Sequence, residues 1–126
     1  MNDAVRTFIW RVYMINFFKN IKIPYFLYGA GQHTDILLNL LENKKLQLPL
    51  CIIDADPKKE FMHGIPCSKL SEMNFTDEPS LIVLSSDVKA VRGKMAESLK
   101  PLNIPGNIEI IDIYIGLPDG PYVKTY

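Results

Sequence analysis

Cysteine is scarce in this chain of 126 residues, with only Cys51 and Cys67, each in an apolar setting (Leu-Cys-Ile-Ile and Ile-Pro-Cys). Such a pair does not make a disulfide framework; it reads as two reduced core thiols and sets the cytoplasm as the expected compartment. Histidine is scarce too. His33 and His63 are the only two, and with no Cys-x-x-Cys spacing the four residues do not form a zinc pattern. Charge of one sign is missing: 14 Lys and Arg balance 14 Asp and Glu, which removes the electrostatic reason to expect nucleic acid as a partner. No apolar run approaches the roughly 18 residues of a membrane span. The nearest, 7–18, is broken by Arg11 and precedes no small-residue cleavage site, against a signal peptide. Repeats, low-complexity stretches, a nucleophile elbow and a second carboxylate pair at useful spacing are likewise absent.

What is present suits one soluble core. Hydrophobic residues make up 48% and charged residues 22% of the chain, and a domain of this length buries about two thirds of its unfolded surface. Residues 3–19 read as a helix, with Val5, Phe8, Ile9, Val12 and Ile15 at three- and four-residue steps. Asn2 or Asp3 can cap it, and Pro24 stops it. Its aromatic content suggests one face on a sheet and another on a second subunit or domain. From Pro24 onward strands and helices alternate. The expected strands are 25–28, 48–53, 81–84 and 108–115. The expected helices are 34–43, with Ile36, Leu37, Leu40 and Leu41 inward, and one from a Ser85 or Ser86 cap to about Lys100. In the latter, Val88, Val91, Met95 and Leu99 form the apolar stripe, and Lys89 and Arg92 the wet face. Between them lie a polar loop, 54–64, an extended piece, 65–67, and at most a short helix, 68–73.

This alternation, with near-continuous apolar strands, predicts an α/β fold: three layers around a short parallel sheet of order 2-1-3-4, numbered along the four strands, with an extra amino-terminal helix. The chain divides into an amphipathic helix (1–23), an α/β domain (24–115) and a turn-rich tail or linker (116–126). Ligands of such sheets bind outside the carboxyl ends of the strands where the order reverses, here strands 1 and 3.

Gly29-x-Gly31-x-x-Thr34 sits after the first strand and opens a helix, the position of a phosphate-binding turn. Gly29 serves the tight turn, and Gly31 lets backbone approach a diphosphate that the helix amides then favour. Thr34 stands where the usual fingerprint has a third glycine, so looser packing of helix on strand is expected. A purely structural turn is the competing reading. Asp54 ends the second strand, where an acid can accept from ribose hydroxyls and repel a 2′-phosphate; capping the 54–57 turn is the alternative. Asp54 and Asp56 also form an Asp-x-Asp pair able to meet a divalent ion, although a plain turn needs the same residues. Lys58 and Lys59 suit a solvated surface better than a phosphate. Ser85 and Ser86 face the expected crevice. His33, beside the glycines, is the candidate for acid–base work or a phosphate contact, against the plainer reading of an exposed first-turn histidine. No complete catalytic site is visible.

Leu27-Tyr-Gly-Ala-Gly-Gln-His-Thr34, Ile52-Ile-Asp-Ala-Asp-Pro57 and Gly64-Ile-Pro-Cys67 together resemble the Rossmann-like amino-terminal domain of bacterial nucleotide-sugar acetyltransferases of the sialic-acid and bacillosamine type. Related domains occur in other polysaccharide-biosynthesis proteins. The resemblance spans about residues 24–113. It implies a nucleotide-binding site made by Gly29, Ala30, Gly31, Gln32, His33, Thr34, Asp54, Ser85 and Ser86. The implied ligand is a UDP-sugar or another nucleotide sugar, or NAD(H) in the manner of NAD(P)-binding folds. The hexapeptide β-helix that carries acetyl transfer in that family is absent from this sequence, so the resemblance implies binding and not transfer. The alternative function is a ligand-free interaction domain that dimerises or docks on a partner through helix 3–19.

Overall fold

The computed structural model describes residues 2–117. Helix α1 spans Asp3–Asn20, started by Asn2, whose Oδ1 accepts from the Val5 amide at 2.9 Å. It is followed by β1 (Tyr25–Tyr28), α2 (Gln32–Asn43) and β2 (Cys51–Asp54). A hairpin of β3 (Phe61–Met62) and β4 (Ile65–Lys69) comes next, then a short 3₁₀ turn at Leu70–Glu72. Strand β5 (Ser80–Leu84), helix α3 (Lys89–Leu99) and strand β6 (Ile108–Ile111) complete the order.

The sheet has six strands in the order β3-β4-β2-β1-β5-β6, parallel except for the β3–β4 pair. The four expected strands stand in the order 2-1-3-4, as β2-β1-β5-β6, but the whole-sheet order differs from the expected one by two further strands. Segment 61–69, expected as loop plus a short extended piece, forms two strands that extend the sheet beyond β2. The hairpin turn is His63-Gly64, with φ of 51° and 77°, the two left-handed residues that a two-residue hairpin requires. A histidine in the first of those positions carries no turn signal, which is why the hairpin is hidden in the sequence.

Alternate residues of the inner strands feed two cores. Tyr25, Leu27, Ile52 and Val83 meet Trp10, Met14 and Phe18 of α1 and Leu37, Leu38 and Leu41 of α2. Tyr28, Cys51, Ile53, Ile82 and Leu84 pack with Leu99 of α3 on the opposite face. Both faces being covered explains the uninterrupted apolar runs in β1, β2 and β5.

The helix stripes need correction. In α1 the sheet-facing side chains are Trp10, Met14 and Phe18, while Val5, Phe8 and Val12 are exposed. The helix is apolar on both sides, so it is not amphipathic in the expected sense, and periodicity alone picked the outer line. In α3, Val88 and Val91 are exposed, and Arg92, assigned to the wet face, is buried. That helix starts at Lys89 after an N-cap Val88 with no side-chain cap; Ser86 Oγ instead accepts from the Val88 amide at 3.2 Å. The last strand stops at Ile111 rather than 115, and residues 118–126 of the expected tail lie outside the described part.

Candidate functional site

β1 lies between β2 and β5, and the chain leaves it toward β2 while β5 pairs on its other side. The carboxyl ends of β1 and β5 therefore part at a topological switch point. A crevice of about 360 Å³ opens there, lined by Gly29, Ala30, Gly31, Gln32, His33, Asp54, Ser85 and Ser86 together with Asp87, Val91 and Met95. The tertiary structure thus gathers Gly29 to His33, Asp54, Ser85 and Ser86 into one cavity wall, with Thr34 buried and Asp56, Lys58 and Lys59 outside the lining.

The two glycines do different things. Gly29 has φ of 122°, and a Cβ there would stand 2.6 Å from the Ser85 carbonyl oxygen and 2.9 Å from Met95 Cε. The fold itself demands glycine at that point. Gly31 caps α2 with φ of −92°, and a Cβ there would meet nothing within 4 Å. Being glycine, the N-cap residue supplies no side-chain cap of its own.

Thr34 does not loosen the packing as expected from the missing third glycine. It is fully buried; its Oγ1 donates to the Gly29 carbonyl and lies 2.6 Å from Ser85 Oγ. The Thr34 proton being used on Gly29, the Ser85 hydroxyl is the donor to Thr34. Ser85 is a brace between the two lips, joined there by its amide donating to the Tyr28 carbonyl at 2.8 Å. Asp54 also braces the turn: one oxygen accepts from the Ala30 amide at 2.8 Å and the other from the Asp56 amide at 2.9 Å. Asp56 pairs with Lys58 at 3.0 Å on the exposed rim. Among the described residues no group of three His, Cys, Asp or Glu side chains is placed to share a metal ion.

His33 is not the exposed first-turn residue of the plainer reading; only 6% of it is accessible. Its Nε2 is hydrogen-bonded to the Tyr114 hydroxyl, and its ring meets those of Trp10 and Tyr114 edge-on. Trp10 Nε1 donates to the same hydroxyl at 3.5 Å. Burial pulls the imidazole pKa down to about 4; Asp87 acts upward on it and Arg92 further downward. His33 is therefore a neutral imidazole at pH 7, held in the wall of the crevice.

Arg92 closes the far side of this cluster. Its Nη1 donates to the Ser86 carbonyl at 3.1 Å, and its guanidinium stacks 4.8 Å above the Tyr114 ring. Its Nε lies 2.9 Å from Asp112 Oδ1, an ion pair in which the N–H points away from the oxygen and forms no hydrogen bond. Arg92, Asp87, Tyr114 and Trp10 are the members that sequence reasoning missed. Asp87 directly follows the Ser85-Ser86 pair and was findable by position. Arg92 was hidden by helical periodicity, and Tyr114 and Trp10 come from opposite ends of the chain with no local signal.

Comparison with family models, with curated proteins and with solved structures gave no match. The site therefore speaks through its own geometry. Its wall brings together the N-terminus of α2, a glycine whose Cβ would meet no described atom within 4 Å, the His33 imidazole and the Asp54 and Asp87 carboxylates.

Proposed function

We propose that the crevice binds a phosphate-bearing nucleotide, either a nucleotide sugar or an NAD-like dinucleotide, in sugar or surface-polysaccharide metabolism. The chain acts as a binding module in this reading, with no complete catalytic set of its own. The observation that carries it is Gly31. Among the described residues nothing lies within 4 Å of where its Cβ would stand, and Ser, Asp or Asn would cap α2 better. Glycine puts no side chain over the start of α2, where the helix N-terminus at a switch-point crevice favours an anion. The cavity volume stands at the low end of the roughly 300–1,000 Å³ of small-molecule sites. It suits one nucleotide-sized portion, with the rest of the ligand lying across the surface. Asp54, oriented by the Ala30 and Asp56 amides, keeps lone pairs for a ribose hydroxyl and disfavours a 2′-phosphate.

The test is thermal shift followed by calorimetry with UDP-, GDP- and CMP-sugars and NAD(H). A ligand at 100 times its dissociation constant adds about 2.7 kcal/mol of stability. Gly31→Val is the decisive variant, because its side chain enters empty space at an ordinary φ. It is expected to keep the circular dichroism of the parent, with a melting temperature lowered only by the poorer N-cap, while losing the ligand response. Silence across all nucleotides, or a response that Gly31→Val retains, refutes the reading.

A further inference from the structure

A helix with an apolar line on each of two sides has one to bury against its own sheet and one left to cover. α1 buries Trp10, Met14 and Phe18 against the sheet and still carries Val5, Phe8, Val12 and Tyr13 on its outer side, with Phe8 67% accessible. Val5, Phe8 and Val12 follow three- and four-residue steps, the spacing of a helix–helix seam. Beside this stripe, between α1 and β6, runs an apolar groove of about 990 Å³, floored by Leu81 and Ile111. Among the described residues, α1 and α2 are the helices that pack on this face of the sheet. Val12, Tyr13 and Ile115 belong both to the groove and to the exposed apolar residues, so ridge and hollow lie side by side on one surface.

We propose that this face is the interface of a two-fold symmetric dimer, in which the outer stripe of α1 from one protomer lies in the α1–β6 groove of its partner. Three observations favour a second copy over a different protein. A ridge adjoining the hollow that fits it is self-complementary, and an axis near Val12 and Tyr13 brings each stripe to the other's groove. The charges of the two walls are opposite: α1 carries Arg6, Arg11 and Lys19 against Asp3, whereas 108–117 carries Glu109, together with an Asp112 already paired to Arg92 within the chain, and no basic residue. Each protomer thus presents the complement of itself, and a net charge of zero adds no self-repulsion. The third is area: Val5, Phe8, Val12, Tyr13 and Ile115 expose roughly 500 Å² of apolar side chain, a large part of the about 800 Å² per partner in a standard interface.

Sedimentation velocity and light scattering on the full chain across micromolar concentrations test this. A species of twice the 14.4 kDa chain mass is expected. Phe8→Glu and Val12→Glu, both at exposed sites, are expected to give monomers with unchanged circular dichroism. Lys19→Glu and Glu109→Lys are each expected to weaken the dimer at least several-fold, and the double exchange to restore most of it. A wild-type monomer at every concentration overturns the proposal and leaves the groove to a partner of different sequence. A dimer indifferent to Phe8→Glu and Val12→Glu overturns it as well, because association then uses another face.

Discussion

Acid should weaken this protein through one buried histidine, and the effect can be isolated. The ordinary pKa of His33 is 6.5 and its value in the fold is about 4. Below pH 6.5 the unfolded chain binds a proton that the folded chain refuses, so stability falls as pH drops from about 6.5 to about 4 and then levels off. The shift of about 2.5 units corresponds to about 3 kcal/mol over that window. This is a substantial fraction of the 5–15 kcal/mol typical of a whole domain. The assay is urea unfolding of wild type and His33→Gln at steps from about pH 7 to about pH 4. Glutamine can still hydrogen-bond to the Tyr114 hydroxyl, and the carboxylates that titrate in the same range cancel in the difference between the two proteins. The wild type is expected to lose about 3 kcal/mol more than the variant across the window. A difference that stays flat refutes the buried, neutral His33. His63 acts with the opposite sign. Burial lowers its pKa, but Asp35 at 2.7 Å and Glu42 at 2.5 Å outweigh burial and raise it. Its contribution is present below pH 6.5 and fades as pH rises through the raised value, so the two histidines act in separate windows.

The other variants probe the supports of the crevice. Gly29→Ala places a Cβ 2.6 Å from a backbone oxygen at φ of 122°, and is expected to cost about 3 kcal/mol in urea unfolding; an effect within experimental error refutes the close approach. Arg92→Met removes a buried charge that holds Ser86 and stacks on Tyr114, at an expected cost of about 2–3 kcal/mol. Because Arg92 also lowers the His33 pKa, the variant should narrow the acid-sensitive window as read by His33 titration in NMR. Thr34→Val breaks the bonds to Gly29 and Ser85 and is expected to cost about 1–3 kcal/mol, measured by the same unfolding.

Local sequence was enough for β1, where Tyr-Phe-Leu-Tyr between Pro24 and Gly29 can only be a short strand buried on both sides. It was enough for α2, for β5 to within one residue, and for the glycine turn, because apolar period, proline and glycine act over a few residues. It therefore located the crevice and named most of its wall. What it could not decide was anything set by a choice between two equally good local solutions. Helix α1 has two apolar faces, and only the position of the sheet selects Trp10, Met14 and Phe18 as the inner one. Arg92 sits at a polar position of α3, yet Asp112 and Tyr114, some twenty residues away, turn it inward. His63 and Gly64 make a hairpin only because β4 finds an open edge on β2. The role of His33 was least legible. Its neutrality depends on Tyr114 at 81 positions' remove and on Trp10 before it, and burial by distant chain is a property of the packed molecule that no local pattern encodes.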